Sequence, residues 1–128
     1  MFNFLFSEAF NLLLAKGGDV GCQDHQQSTA LHLAVQAGAL KIVRRLLNPM
    51  LPNTLEIKDA DQNTPVLIAC MYNRLDILKL LLDKGADVSA LNKDCMSCLD
   101  VAIEWDSIQV ARTLVKHERF APFSPLLI

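Results

Sequence analysis

Thr29-Ala-Leu-His-Leu-Ala34, Thr64-Pro-Val-Leu-Ile-Ala69 and Ser97-Cys-Leu-Asp-Val-Ala102 are one pattern written three times. Successive copies begin 35 and then 33 residues apart. A second pattern keeps step with the first: Lys41-Ile-Val-Arg-Arg-Leu-Leu47, Asp76-Ile-Leu-Lys-Leu-Leu-Leu82 and Gln109-Val-Ala-Arg-Thr-Leu-Val115. A further copy, Glu8-Ala-Phe-Asn-Leu-Leu-Leu14, lies 33 residues upstream of Lys41. Two patterns held in register over this length mark a repeat architecture.

Each unit reads as two short helices and a turn. Thr29, Thr64 and Ser97 carry hydroxyls where a first helix should start, the chemistry that satisfies orphan N–H groups. Pro65 falls at the first helical position, where its missing N–H costs nothing. Gly38, Asn73 and Asp106 interrupt the pattern, and a second helix follows with apolar residues at helical spacing, Ile42, Val43, Leu46 and Leu47 in the first instance. Gly17-Gly-Asp19 and Gly85-Ala-Asp87 stop the second helices with a residue that tolerates positive φ. A helix pair this short cannot bury its own apolar face, so the units must stack.

The period, the Thr-Ala-Leu-His-Leu-Ala motif and Leu80-Leu-Leu-Asp-Lys-Gly-Ala-Asp-Val88 resemble ankyrin repeats over about Ser7 to His117. The resemblance implies an all-α solenoid of ankyrin repeats, helix-turn-helix pairs with β-hairpin or turn fingers along one edge and a groove lined by the first helices. The units fall at about 1–23 (partial), 24–58, 59–91 and 92–120, with a tail at 121–128. The sequence departs from the family in several places. Gln27, Gln62 and Cys95 stand where the family has glycine, so the finger turns should be strained or reshaped. The family's histidine is His32, which should tie adjacent units together, but Leu67 and Asp100 replace it in the next two. Asp100 is then expected to be a weak point, a buried carboxylate needing a partner. Two extra residues lengthen Asn48 to Asp59, where Pro49 and Pro52 should enforce an extended connection. The first unit lacks its first helix, so Phe10 and its flank should be exposed unless covered, and the chain looks like a cut-out of a longer array.

Composition sets the function classes. Of 128 residues, 52% are hydrophobic and 20% charged, enough apolar surface for a core. The formal charge of −2 leaves no basic excess for nucleic acid. No apolar run approaches the ~18–20 residues of a membrane span, so direct membrane insertion is not expected. The apolar start lacks a basic n-region and a cleavage site. Four irregularly spaced cysteines do not make a disulfide scaffold. A cytoplasmic protein fits best, on the cytosolic face of a membrane if it belongs to a channel.

Asp59-x-Asp61-x-Asn63 begins like a calcium loop, but Thr64 and Cys70 stand where that loop needs its glycine and its bidentate glutamate, which favours a plain turn. Cys95-x-x-Cys98 has redox or zinc-knuckle spacing without two further ligands at hand. Cys98 falls near a helix start, which favours a lowered pKa, while Cys70 fits a small buried position. No nucleophile has a paired base, and neither a phosphate loop nor paired catalytic carboxylates occur, so no enzyme, cofactor or metal is expected.

The resemblance instead implies protein binding through finger tips and the groove-facing ends of the first helices. Carried over unit by unit, those positions are His25, Gln26, Ser28, Gln36 and Ala37; Ala60, Asp61, Asn63, Met71 and Tyr72; then Lys93, Asp94, Met96, Glu104 and Trp105. The only Tyr and the only Trp occupy the same repeat position, and aromatic anchors of this kind dominate interfaces. Trp105 has a blander alternative, packing back on its neighbours. Ser97-Cys-Leu-Asp-Val-Ala-Ile-Glu and Val115-Lys-His-Glu-Arg-Phe120 are also similar to the closing repeat in the cytosolic array of A-subfamily transient receptor potential cation channels. Two main readings follow, a module binding another protein or a piece of a channel's cytosolic arm packed on adjacent ankyrin repeats. A thiol sensor using Cys95 and Cys98 is a third.

Overall fold

The structure is a computed structural model that describes residues 19–51 and 53–116. Among them are six helices and no strands: α1 (Ala30–Ala37), α2 (Leu40–Leu46), α3 (Pro65–Met71), α4 (Leu75–Asp83), α5 (Cys98–Glu104) and α6 (Ile108–Lys116). They pair as α1/α2, α3/α4 and α5/α6; α1, α3 and α5 pack in one row, and α2, α4 and α6 in a second. The core runs between the rows through Leu31, Val43, Leu67, Leu78, Leu81, Val101, Val110 and Leu114, all buried. The expected exposure of Phe10 lies outside the described residues.

Thr29, Thr64 and Ser97 are the N-caps of α1, α3 and α5, each with extended backbone. Thr29 and Ser97 close capping boxes with His32 and Asp100. Thr64 does not, because Leu67 offers no acceptor at the equivalent position, and its hydroxyl is buried without a partner. Such a cap is worth about 1 kcal/mol. Asp100 corrects the sequence-based expectation: it is exposed rather than buried, and its carboxylate accepts from the Ser97 N–H at 3.1 Å. Burial at this repeat position requires a following unit on top, and none covers Asp100 among the described residues.

The fingers are tight turns whose strain is real. Gln27, Gln62 and Cys95 adopt φ of 62°, 63° and 60°, left-handed backbone that costs a side-chain-bearing residue about 1–2 kcal/mol. Asp24, Asp59 and Asn92 support the turns: each side-chain oxygen accepts two backbone N–H bonds within its own finger. Successive fingers are stitched by Ala60 N–H to the Gln26 carbonyl at 2.9 Å and Lys93 N–H to the Asp61 carbonyl at 3.1 Å. Gly38 needs its freedom twice over, at φ 74° and with the Arg74 guanidinium 3.1 Å from where a Cβ would stand.

The lengthened connection also corrects an expectation. It opens with a turn rather than an extended run: Leu51 N–H donates to the Asn48 carbonyl and Met50 N–H to the Asn48 side chain, both at 2.9 Å. Asn followed by Pro at the first two positions of a turn favours that geometry.

Candidate protein-binding groove

Both junctions among the described units carry hydrogen bonds from one unit to the next. At the first, Thr29 N–H donates to His32 Nδ1 at 3.1 Å, which leaves Nε2 to donate to the Asn63 carbonyl of the next unit at 2.8 Å. His32 is buried, and burial pulls its pKa below the ordinary 6.5, so the neutral ring is the working form. Arg74 adds a bond to the Gln36 carbonyl at 2.7 Å. At the second junction Leu67 makes no such bond, and Ser107 donates to the Met71 carbonyl at 3.0 Å in the place of Arg74. Asn73 reaches across as well, bonding the Gln109 side chain at 2.6 Å and accepting from Val110 N–H.

The fingers and the ends of α1, α3 and α5 enclose two adjoining cavities. The larger, about 520 Å³, is lined by Asp61, Asn63, Met71, Asn92, Lys93, Asp94, Met96, Val101, Glu104 and Trp105. The smaller, about 260 Å³, is lined by Gln26, Ser28, Gln36, Asp59, Asp61, Asn63, Ile68, Met71, Tyr72 and Trp105. Of the sequence-predicted positions in the three finger-and-helix sets, the cavities bring together all but His25, Ala37 and Ala60. His25 and Ala60 stand exposed at finger tips, and Ala37 is buried. Asp59 and Asn92 were missed, although Asp24, Asp59 and Asn92 recur at the same repeat offset and Asp and Asn are natural turn formers.

Tyr72 and Trp105, the C-caps of α3 and α5, meet with ring centroids 5.7 Å apart and planes tilted by 37°. Trp105 nevertheless stays 51% exposed, so one face of the pair is open to the groove. Asn63 is the reverse case. It is only 4% exposed, lies in the wall common to both cavities, and its Oδ1 has no hydrogen-bond partner. Lys93 and Asp61 form a rim ion pair at 2.7 Å that raises the Lys93 pKa; both groups are well solvated, so it adds little to stability.

The calcium-like stretch is a turn, since Asp59 Oδ1 is taken by the N–H groups of Asp61 and Asn63. Cys95 is exposed in the third finger, whereas Cys98 is buried at the start of α5. Its neighbour is Cys70 of the preceding unit, whose thiol is pushed well above the ordinary range first by the hydrogen bond with Cys98 and then by burial. No group of three or more His, Cys, Asp or Glu able to hold a metal occurs among the described residues. Among them, too, no helix is long and apolar enough to cross a membrane.

Stacked helix pairs, positive-φ fingers and a histidine stitched to the next unit define a helical repeat protein. The chain belongs to the ankyrin repeat family: the family model for ankyrin repeats in three copies matches residues 3–92 and 51–122. It is similar to transient receptor potential cation channel subfamily A member 1 of Drosophila melanogaster, 32% identical over 112 residues, which is 85% of this chain and 9% of that protein. The likeness to the channel therefore runs well beyond the closing repeat. Human inversin is 32% identical over 108 residues, covering 83% of this chain and 10% of inversin. Ankyrin repeat protein nuc-2 of Neurospora crassa is 29% identical over 104 residues, covering 81% of the chain and 10% of that protein. The chain thus spans about a tenth of the length of these relatives.

Proposed function

We propose that the chain is a binding module rather than a catalyst, that it works in the cytoplasm without a cofactor, and that a partner protein docks in the groove around Tyr72 and Trp105. The observation that carries this is the open face of that ring pair, two large aromatics held at a unit junction with the tryptophan half in solvent. A buried core has no use for such exposure, whereas aromatic anchors of this kind contribute a few kcal/mol each at interfaces. The experiment is affinity capture with the intact chain, its Tyr72→Ala/Trp105→Ala variant, and an Arg44→Ala/Arg45→Ala control on the exposed side of α2. The groove variant should keep its helicity and lose the bands that wild type and control retain. An unchanged set of captured proteins would overturn the proposal.

A second reading, a segment within a longer array such as a channel's cytosolic arm, is favoured by a separate observation. Val35 and Cys70 are fully buried where the next unit covers them, but their repeat equivalent Ile103 is 66% exposed. Ile108 and Val115 are exposed beside it on α6. This apolar end is shaped to seat another helix pair, in which case the partner at that face is an adjacent repeat and the module lies at the cytosolic face of a membrane. Both readings leave the groove open for a partner.

A further inference from the structure

The groove's chemistry is one-sided. Four carboxylates line it, Asp59, Asp61, Asp94 and Glu104, against a single ammonium, Lys93. Asp59 is engaged in its own turn and Asp61 is paired with Lys93. The Asp94 and Glu104 side chains accept no hydrogen bond from any described residue. The wall common to both cavities also holds the buried, unpartnered Asn63 Oδ1, a state that costs about 1–3 kcal/mol and adds to the negative character of the site. Beside these acceptors lies the open face of the Tyr72–Trp105 pair.

Unused acceptors next to an exposed indole call for one kind of group, a planar cation rich in donors. A guanidinium can stack on the rings while its N–H fork reaches carboxylate oxygens; an ammonium offers a point charge without the plane. We propose that the groove selects an arginine side chain carried on an extended, basic segment of the partner protein, stacked on Tyr72 and Trp105 and bonded to Asp94 and Glu104. This rests on the groove being the docking face and adds the chemistry of what docks there. The negative wall would also steer a basic segment inward, so binding should weaken as salt rises.

The test titrates the 128-residue chain with three acetylated and amidated ten-residue peptides, identical but for a central arginine, citrulline or glutamate between two lysines. Trp105, the only tryptophan, reports occupancy by its fluorescence. The arginine peptide should give a saturable change, citrulline should weaken binding about tenfold or more, and glutamate should abolish it. Asp94→Asn with Glu104→Gln, both exposed and conservative, should reduce affinity for the arginine peptide about tenfold without changing the circular dichroism. Equal binding of arginine and citrulline, or affinity unaffected by the two substitutions, would overturn the arginine assignment and leave the groove as a docking face. Silence of Trp105 toward every peptide would overturn it as well, and the capture experiment with Tyr72→Ala/Trp105→Ala then decides independently whether the groove docks anything.

Discussion

The two junctions among the described units solve one packing problem with different chemistry. The first is tied from within: His32, bonded at Nδ1 to its own cap, reaches the next unit's Asn63 carbonyl, and the repeat position of Tyr72 and Trp105 is there the small, buried Ala37. The second has Leu67 in place of the histidine and leaves Thr64 Oγ1 unpartnered, yet at its groove side it carries the tilted Tyr72–Trp105 pair. The first junction is stitched at the histidine position and has no ring pair, whereas the second has the ring pair and is held instead by Ser107 to Met71, Asn73 to Gln109 and the Cys70–Cys98 contact. Neighbouring junctions of a repeat protein can therefore be held by different bonds without altering the helices themselves.

The comparison can be broken at the first junction. His32→Leu makes it resemble the second and should destabilise the chain by about 2 kcal/mol, through the lost bonds of Nδ1 to the Thr29 cap and of Nε2 to the Asn63 carbonyl, measured by urea unfolding. The same variant tests the sign of the pKa shift. The folded state holds His32 below 6.5 while the unfolded chain titrates near the ordinary value. Stability is thus fully present above about 6.5 and is lost as pH falls through the window down to the depressed folded pKa. Wild type should weaken across that window, and His32→Leu should flatten the slope. An equal slope in both chains would mean that another group controls it.

The comparison can be sharpened by the opposite exchange, with a smaller effect. Leu67→His offers Thr64 Oγ1 a partner and brings an imidazole toward the Met96 carbonyl, but gives up buried leucine. A gain of at most about 1 kcal/mol is expected at pH 8, together with a steeper loss of stability below pH 6.5. A destabilisation of several kcal/mol would show that the second junction has no room for the bond.

Much of this was legible in the sequence, and the exceptions have physical causes. Periodicity gave the helices, the cap residues and the shared position of Tyr72 and Trp105, because each is a local pattern repeated at fixed offset. Asp100 was misjudged because a repeat position implies burial only where another unit lies on top. The turn at Asn48 is readable from Asn followed by Pro, but Pro49 and Pro52 taken alone point to an extended connection. The orphaned oxygen of Asn63 was not legible, since its partners depend on side chains from neighbouring fingers, whereas that of Thr64 follows from Leu67 standing where the first unit has His32. Spacing set the two rings on adjoining units; their contact and their open face belong to tertiary geometry.

The central claim is that Tyr72 and Trp105 form a surface for a partner and not part of the core. Urea unfolding of Tyr72→Ala/Trp105→Ala against wild type, followed by circular dichroism, tests it most directly. The account expects unchanged helicity, a cooperative transition and a loss of no more than about 2 kcal/mol, the scale of a half-buried tyrosine in contact with an exposed tryptophan. A loss of 4 kcal/mol or more, or a transition that is no longer cooperative, would make the pair core packing and contradict the account.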